Sequence, residues 1–152
     1  MRASVRPPMP GDVHALDAAE KTCFTDPWPG HFFASEMFAP GRFNRVAVGP
    51  SGRLMGYLFS AWQYLDLHVL KVATLPEFRR QGLARRLMTL AEDHATEMGG
   101  ESVTLEVRAS NRGAEVLYVS LGYERAGVRP SYYADGEDAV VMTKPVLLWT
   151  ER

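Results

Sequence analysis

The stretch from Leu65 to Met98 limits most strongly what this chain can fold into. It begins with the apolar, β-branched run LDLHVLKVAT, which predicts a buried strand. It ends with apolar residues spaced along one face of a helix and charged residues facing away from it. The predicted inner face is Leu83, Leu87, Leu90, Ala91, Ala95 and Met98, and the predicted outer face is Arg85, Arg86, Glu92, Asp93 and Glu97.

The loop between this strand and helix, from Arg79 to Ala84, has the composition of an anion-binding site. The first amides of a helix have no intrahelical acceptor, and the helix dipole adds partial positive charge there. Gly82 and Ala84 carry no bulky side chain, so a ligand could approach the backbone closely. The loop therefore predicts a phosphate or pyrophosphate socket, with ordinary surface capping as the alternative. The sequence contains neither a Walker A motif nor the three-glycine dinucleotide spacing.

Composition indicates an ordinary globular protein. A chain of 152 residues, 46% hydrophobic and 23% charged, suits one domain spanning residues 1–152. A net charge of -1 gives no sign of a nucleic-acid partner, because the basic residues Arg79, Arg80, Arg85 and Arg86 cluster locally. We find no signal peptide and no apolar run long enough for a membrane span. We therefore expect a cytoplasmic protein without a membrane partner.

Cys23 is the single cysteine, which excludes an intrachain disulfide and favours a reducing compartment. A lone cysteine near a helix is far more often inert packing than an acyl-carrying nucleophile. The histidines, His14, His31, His68 and His94, lack metal-ligand spacing, so we predict no metal site.

The pattern of strands, helices and turn residues predicts the order βααβββαβαββ. This order implies an α/β (α+β) fold, with about seven strands in one mixed, mostly antiparallel sheet and four helices on both faces. The predicted helices are 12–21, with Asp12 as N-cap, 31–38, 83–98 and 111–121. The predicted strands are 3–6, 43–48, 54–62, 65–74, 102–108, 123–129 and 139–144.

Three residues near the C-terminal half could carry chemistry. Glu106 lies on a predicted core strand, where a carboxylate is unusual, although it could also face solvent or pair with an arginine. Asn111 begins a helix and could simply be its N-cap. Tyr118 lies two turns later on the same helical face and could equally be a core aromatic residue.

The motif Arg79-x-x-Gly82-x-Ala84 resembles the Q/R-x-x-G-x-G/A signature of the GNAT N-acetyltransferase superfamily. The predicted order of elements is also that of the GNAT fold, over the whole chain. The resemblance implies acetyl-CoA as co-substrate. It implies a pyrophosphate site and pantetheine contacts formed by Val72, Thr74, Arg79, Arg80, Gln81, Gly82, Leu83, Ala84, Arg85 and Asn111.

Further motifs resemble the bacterial ribosomal-protein alanine N-acetyltransferases (RimI type). They are LEVRASN from Leu105, LYVSLGY from Leu117, the later Tyr132-Tyr133-x-x-Gly136-x-Asp138-Ala139 and Asp26-Pro27-Trp28. This resemblance implies that Glu106 is the general base and Tyr118 the general acid. Trp28, Tyr132 and Tyr133 would contact the acceptor.

The implied function is an acetyl-CoA-dependent protein Nα-acetyltransferase, acting on a ribosomal protein with an N-terminal alanine. The alternatives are a GNAT enzyme for lysine side chains or a small-molecule amine, and a non-catalytic CoA-binding or partner-binding module. Loss of Glu106 or Tyr118 would favour the non-catalytic module, and both residues are present.

Overall fold

The computed structural model describes residues 2–146; Met1 and residues 147–152, at the ends of the predicted domain, lie outside the described part. Within that range the elements follow the predicted order. The helices are α1 (Val13–Cys23), α2 (Gly30–Phe38), α3 (Leu83–Glu97) and α4 (Arg112–Ser120). The strands are β1 (Ser4–Arg6), β2 (Arg42–Val48), β3 (Leu54–Gln63), β4 (Asp66–Thr74), β5 (Ser102–Arg108), β6 (Glu124–Arg129) and β7 (Ala139–Pro145).

The strands form a seven-stranded mixed sheet in the order β1-β2-β3-β4-β5-β7-β6. Strands β1–β2, β2–β3, β5–β7 and β6–β7 pair antiparallel, whereas β4 and β5 pair in parallel. The parallel pairing joins Asp66–Val69 to Ser102–Leu105. The mixed and mostly antiparallel sheet predicted from the sequence is thus confirmed.

The first of two compact units comprises residues 2–61 and 71–88. Its core is aromatic: the Phe33 ring lies 5.8 Å from the ring of Tyr57 and 5.2 Å from that of Phe59, edge-on in both cases. Edge-to-face ring pairs add stabilisation beyond the area that they bury. The same cluster contains Leu16, Ala19, Val46, Leu54 and Ala73.

The second unit comprises residues 62–70 and 89–146. Strand β5 alternates strictly: Val103, Leu105 and Val107 are buried, while the intervening residues are half-buried. Successive side chains of a strand point to opposite faces, so Glu106 belongs to the half-buried face. This alternation places the polar side chains of β5, Glu106 among them, on one face of the sheet.

Asp12 precedes α1 as predicted, but its side chain does not cap that helix within the described structure. Its carboxylate accepts the Met9 amide at 2.7 Å and two Arg6 guanidinium bonds at 2.8 and 2.9 Å. A 3₁₀ turn, Pro10–Asp12, precedes the helix and directs the carboxylate back along the chain. The hydrogen bonds from Arg6 hold the Asp12 pKa below its usual value.

Two predicted positions on α3 are wrong. Met98 is 66% exposed, because α3 ends at Glu97 and Gly99 turns the chain away with a positive φ; Met88 is buried instead. Glu92, predicted to face outward, is largely buried and accepts hydrogen bonds from Tyr123 Oη at 2.8 Å and Lys144 Nζ at 2.9 Å. A buried carboxylate is tolerated when such donors satisfy it.

Among residues 2–146, none of the helices combines the length and the apolar character that crossing a bilayer would require.

Candidate active site

The predicted phosphate loop follows β4 and opens α3. Arg79 Nε donates to the Thr74 carbonyl at 3.0 Å, and the first α-helical bond runs from Arg86 N to Gly82 O at 3.0 Å. Leu83 and Ala84 therefore lie in the first helical turn, where the backbone N–H groups have no intrahelical carbonyl as acceptor. The loop geometry is that of an anion-binding helix start.

Gly82 has a φ of 77°, a left-handed conformation that side chains other than glycine rarely adopt. A Cβ placed there would meet no atom within 4 Å, so the space beside the loop is open. Arg80 also has a positive φ, 66°. Backbone conformation, rather than crowding, is therefore the reason for glycine at this position.

Val72 and Thr74 are half-buried at the carboxyl end of β4. The Thr74 carbonyl accepts Arg79 Nε and lies 3.8 Å from Cys23 Sγ. Burial raises the pKa of the Cys23 thiol, which disfavours the thiolate that a nucleophile needs. The geometry of Cys23 is that of a packing residue.

Glu106 is buried on β5, with 8% of its side chain exposed. Its Oε1 lies 2.7 Å from Nε2 of His68, which is 9% exposed. Its Oε2 is buried and has no hydrogen-bond partner among the described residues. Arg129 Nε lies 3.6 Å from that oxygen, within ion-pair distance. One carboxylate oxygen is thus satisfied, and the other still needs a donor.

The parallel register of β4 and β5 explains why His68 meets Glu106. His68 is paired with Thr104, so its side chain emerges on the face shared by Thr104 and Glu106. On the same face, Asp66 accepts hydrogen bonds from Ser102 Oγ at 2.6 Å and Thr104 Oγ1 at 2.7 Å. His68 was not predicted as a partner of Glu106, although the alternation of both strands was a usable signal once they were paired.

Tyr118 is buried on α4, and its ring lies 6.0 Å from that of Tyr123 in an edge-on arrangement. Burial, with a smaller contribution from Tyr133, raises the pKa of Tyr118 to about 12. The phenol therefore keeps its proton at neutral pH. Asn111 caps α4, because its Oδ1 accepts the Ala114 amide at 3.1 Å.

The β6–β7 loop presents Tyr132 and Tyr133, whose rings lie 5.1 Å apart and almost perpendicular. Tyr132 is 49% exposed, and burial together with the charge of Glu106 raises its pKa. The Arg108 guanidinium lies 4.1 Å from the Tyr133 ring centre and donates to Asp135 and Glu137, each at 2.9 Å. Arg108, which the sequence analysis did not single out, thus anchors this loop.

Trp28 is half-buried in the first unit and packs against the Phe33 and Phe59 rings. Its amide donates to Oε2 of the fully buried Glu20 at 2.9 Å. Tyr57 Oη and Lys71 Nζ also donate to the Glu20 carboxylate, at 2.8 and 2.9 Å. Trp28 is therefore held by the core, and the buried Glu20 was not predicted from the sequence.

Within residues 2–146, the titratable side chains form no cluster of three or more His, Cys, Asp or Glu residues suited to a metal ion.

Known proteins resemble this chain in sequence and in fold. The profile of the acetyltransferase (GNAT) family matches residues 13–123. The putative ribosomal protein bS18-alanine N-acetyltransferase of Bacillus subtilis (strain 168) is 32% identical over 143 residues, covering 93% of this chain and 94% of that protein.

Two solved structures are also similar. The ribosomal-protein-S18-alanine N-acetyltransferase from Escherichia coli has a TM-score of 0.87 and 29% identity, covering 97% of this chain and 96% of its own. Arabidopsis thaliana NAA60 in complex with acetyl-CoA has a TM-score of 0.86 over 95% of this chain and 99% of its own, but at 17% identity it shares the fold alone. The sequence profile and the Bacillus relative together show that this chain belongs to the GNAT family of acetyltransferases.

Proposed function

We propose that this protein is an acetyl-CoA-dependent Nα-acetyltransferase that modifies the N-terminal alanine of a ribosomal protein. The observation that carries the proposal is Glu106 Oε2, a buried carboxylate oxygen without a hydrogen-bond donor in residues 2–146. An amine or ammonium group supplies the donor that this oxygen lacks. The names of the Bacillus and Escherichia relatives support a ribosomal protein as the acceptor. Such an acceptor would place the reaction in the cytoplasm.

Acetyl-CoA, when bound, supplies an acetyl group activated as a thioester. The helix start at Gly82 fits its pyrophosphate, because the amides there lack intrahelical acceptors and the space beside Gly82 is open. Arg79, Arg80 and Arg85 add positive charge to the same loop. We assign the remaining contacts to the amides of Gln81, Leu83 and Ala84, the β4 positions Val72 and Thr74, and the amide group of Asn111.

Glu106 acts as the base that takes a proton from the acceptor ammonium. An α-amine has a pKa near 7.7–8.0, so roughly a tenth is already neutral at pH 7, and a carboxylate suffices to remove the remaining protons. The hydrogen bond with His68 fixes the Glu106 carboxylate, which keeps Oε2 in one orientation. A lysine acceptor, with a pKa near 10.4, would need a stronger base.

Tyr118 acts on the leaving group. As the neutral amine nitrogen forms its bond to the acetyl carbon, the carbon–sulfur bond breaks, the electron pair leaves with sulfur, and the nitrogen releases its surplus proton to water. The Tyr118 phenol donates its hydrogen bond to that sulfur. Because an ordinary thiol has a pKa near 8.5 and Tyr118 one of about 12, stabilisation of the developing thiolate is favoured over complete proton transfer.

The aromatic residues Trp28, Tyr132 and Tyr133 contact the acceptor peptide in this proposal. Aromatic side chains provide contact area at low entropic cost, as recognition of an extended peptide requires. The 49% exposure of Tyr132 leaves much of that side chain available for such a contact.

The test is an acetylation assay with peptides that begin with Ala, Ser or Met, and with an N-terminally blocked peptide containing lysines. We expect the Ala peptide to have the highest kcat/KM and the blocked peptide to remain unmodified. Efficient acetylation of the blocked peptide would overturn the Nα assignment in favour of lysine side chains. Acetylation of small amines alone would favour the small-molecule alternative.

A further inference from the structure

The side chain of Arg129 lies near the oxygen of Glu106 that has no hydrogen-bond donor. Its Nε lies 3.6 Å from Oε2, too far for a hydrogen bond, and its side chain is 54% exposed. Oε2 itself is buried and has no donor in the described part of the chain. An acceptor amine that donates to Oε2 would therefore lie next to the Arg129 guanidinium.

Strand register places open space next to this pair. Glu106 is opposite Val141 on β7, and Val141 is opposite Gly127 on β6, so these positions share one face of the sheet. A Cβ at Gly127 would meet no atom within 4 Å. Arg129, two residues further along β6, lies on the same face, and its guanidinium is 5.8 Å from the ring centre of Tyr132. The first residue of an acceptor thus has room beside Arg129.

We propose that Arg129 recognises the carbonyl oxygen of the acceptor's first residue, and so selects an α-amine over a lysine ε-amine. This inference rests on the proposed function and names a specificity residue for it. When the amine donates to Glu106 Oε2, the guanidinium moves off that oxygen and donates to the neighbouring carbonyl. A guanidinium has only donors, so it requires an acceptor oxygen at that place.

Covalent geometry separates the two kinds of amine. The carbonyl oxygen of an N-terminal residue lies about 3 Å from its own α-nitrogen, within reach of a group that touches the same carboxylate. The ε-nitrogen of an extended lysine lies about 6 Å from its own Cα, so its carbonyl falls beyond that reach. A simple alkylamine has no carbonyl at all. Arg129 can therefore bind only an acceptor whose amine lies next to a carbonyl group.

The experiment measures two forms of the enzyme with two forms of the peptide substrate. Acetylation by the wild type and by Arg129→Gln is measured with an Ala peptide and with the same peptide carrying an (E)-alkene in place of its first peptide bond. The alkene keeps the chain geometry and removes the carbonyl oxygen. Arg125→Gln is the matched control, because Arg125 lies on the same strand and pairs with Glu115.

We expect Arg129→Gln to lower kcat/KM on the Ala peptide about tenfold to a hundredfold, the usual effect of losing a charge-assisted hydrogen bond. On the alkene peptide the same variant should lose less than about twofold, because the contact is already absent. Its relative activity on a blocked lysine peptide should rise. Arg125→Gln should change neither substrate, and the melting temperatures of both variants should match the wild type.

An equal loss on both peptides would overturn the inference, because Arg129 would then act only through Glu106 or the fold. No loss on either peptide would overturn it as well, and would leave Arg129 a surface ion pair. A wild type that acetylates lysine peptides but not the Ala peptide would overturn the proposed function itself, and this inference with it. The first two outcomes leave the Nα activity of the wild type intact and are therefore distinguishable from the third.

Discussion

Glu20 and Glu106 are both buried carboxylates, but their surroundings differ. Glu20, fully buried in the first unit, accepts from the Trp28 amide, Tyr57 Oη and Lys71 Nζ at 2.8–2.9 Å. Glu106, in the second unit, has a 2.7 Å contact with His68 on one oxygen and no hydrogen-bond donor in residues 2–146 on the other.

The difference separates a structural carboxylate from one arranged for a ligand. A buried polar group without a hydrogen-bond partner costs about 1–3 kcal/mol, more when it is charged, so the missing hydrogen bond at Oε2 of Glu106 costs the fold stability. Donors on both oxygens of Glu20 keep its charge tolerable and tie the Trp28 backbone to the core. An unsatisfied group is therefore the better marker of a site than burial alone.

The largest effect is expected at Glu106. Glu106→Gln keeps the shape of the side chain and removes the base, so kcat/KM on the Ala peptide should fall about a hundredfold to ten-thousandfold. The melting temperature should change little, since glutamine keeps the shape of the side chain and can still hydrogen-bond with His68. Steady-state kinetics and thermal unfolding check both points, and a variant that kept its activity would refute the assignment of the base.

Glu20→Ala, in contrast to Glu106→Gln, should lower the stability of the fold. The substitution leaves the Lys71 ammonium, 14% exposed, without its carboxylate, and breaking such a pair costs about 3–5 kcal/mol. Denaturant unfolding should therefore show a much lower midpoint. The double variant Glu20→Ala with Lys71→Met should recover part of the loss, because no charge is then left unpaired. Wild-type stability in Glu20→Ala would contradict the structural role of Glu20.

Tyr118 and Tyr57 extend the comparison of the two carboxylates, and we expect their substitution by phenylalanine to have smaller effects. Tyr118→Phe deletes only the hydroxyl group and should lower kcat on the order of tenfold or more, with little change in the KM for acetyl-CoA. Tyr57→Phe removes a donor to Glu20 and should lower stability by about 1–3 kcal/mol with kcat retained in the folded enzyme. Full kcat in Tyr118→Phe would reduce Tyr118 to a packing residue.

The smallest effect concerns pH. The pKa of Tyr118 is raised to about 12, above its unfolded value near 10. The contribution of the protonated Tyr118 phenol to folding stability is thus fully present below about pH 10. It is lost as the pH rises through the pKa of the folded state. The kcat measured at saturating substrate should accordingly show no decline between pH 8 and 10 from Tyr118. A decline that disappears in Tyr118→Phe would contradict this pKa.

The elements and their order were predictable because each depends on local pattern. The apolar run before the phosphate loop, the glycine-rich turns and the helix start at Asn111 are all visible within a few residues. Glu106 stood out because a carboxylate is unusual on a predicted core strand. The two wrong positions on α3, Glu92 and Met98, lie where tertiary partners or an early helix end override periodicity.

The partners of Glu106 could not be read from local pattern. His68 and Glu106 are 38 residues apart and meet only through the parallel register of β4 and β5. Arg129 reaches Glu106 through the register of β6 and β7 with β5. Glu20 was missed for a related reason: besides the nearby Trp28 amide, its donors come from Tyr57 and Lys71, which are distant in sequence.

The most direct test is a crystal structure of the protein with a conjugate that joins CoA, through an acetyl linker, to the α-nitrogen of an Ala peptide. We predict that this nitrogen lies within about 2.6–3.2 Å of Glu106 Oε2, or one water away from it, with His68 still bonded to Oε1. Glu20 should keep its donors Trp28, Tyr57 and Lys71. A nitrogen bound elsewhere, with Arg129 still beside Glu106 Oε2, would contradict the assignment of Glu106 as the base.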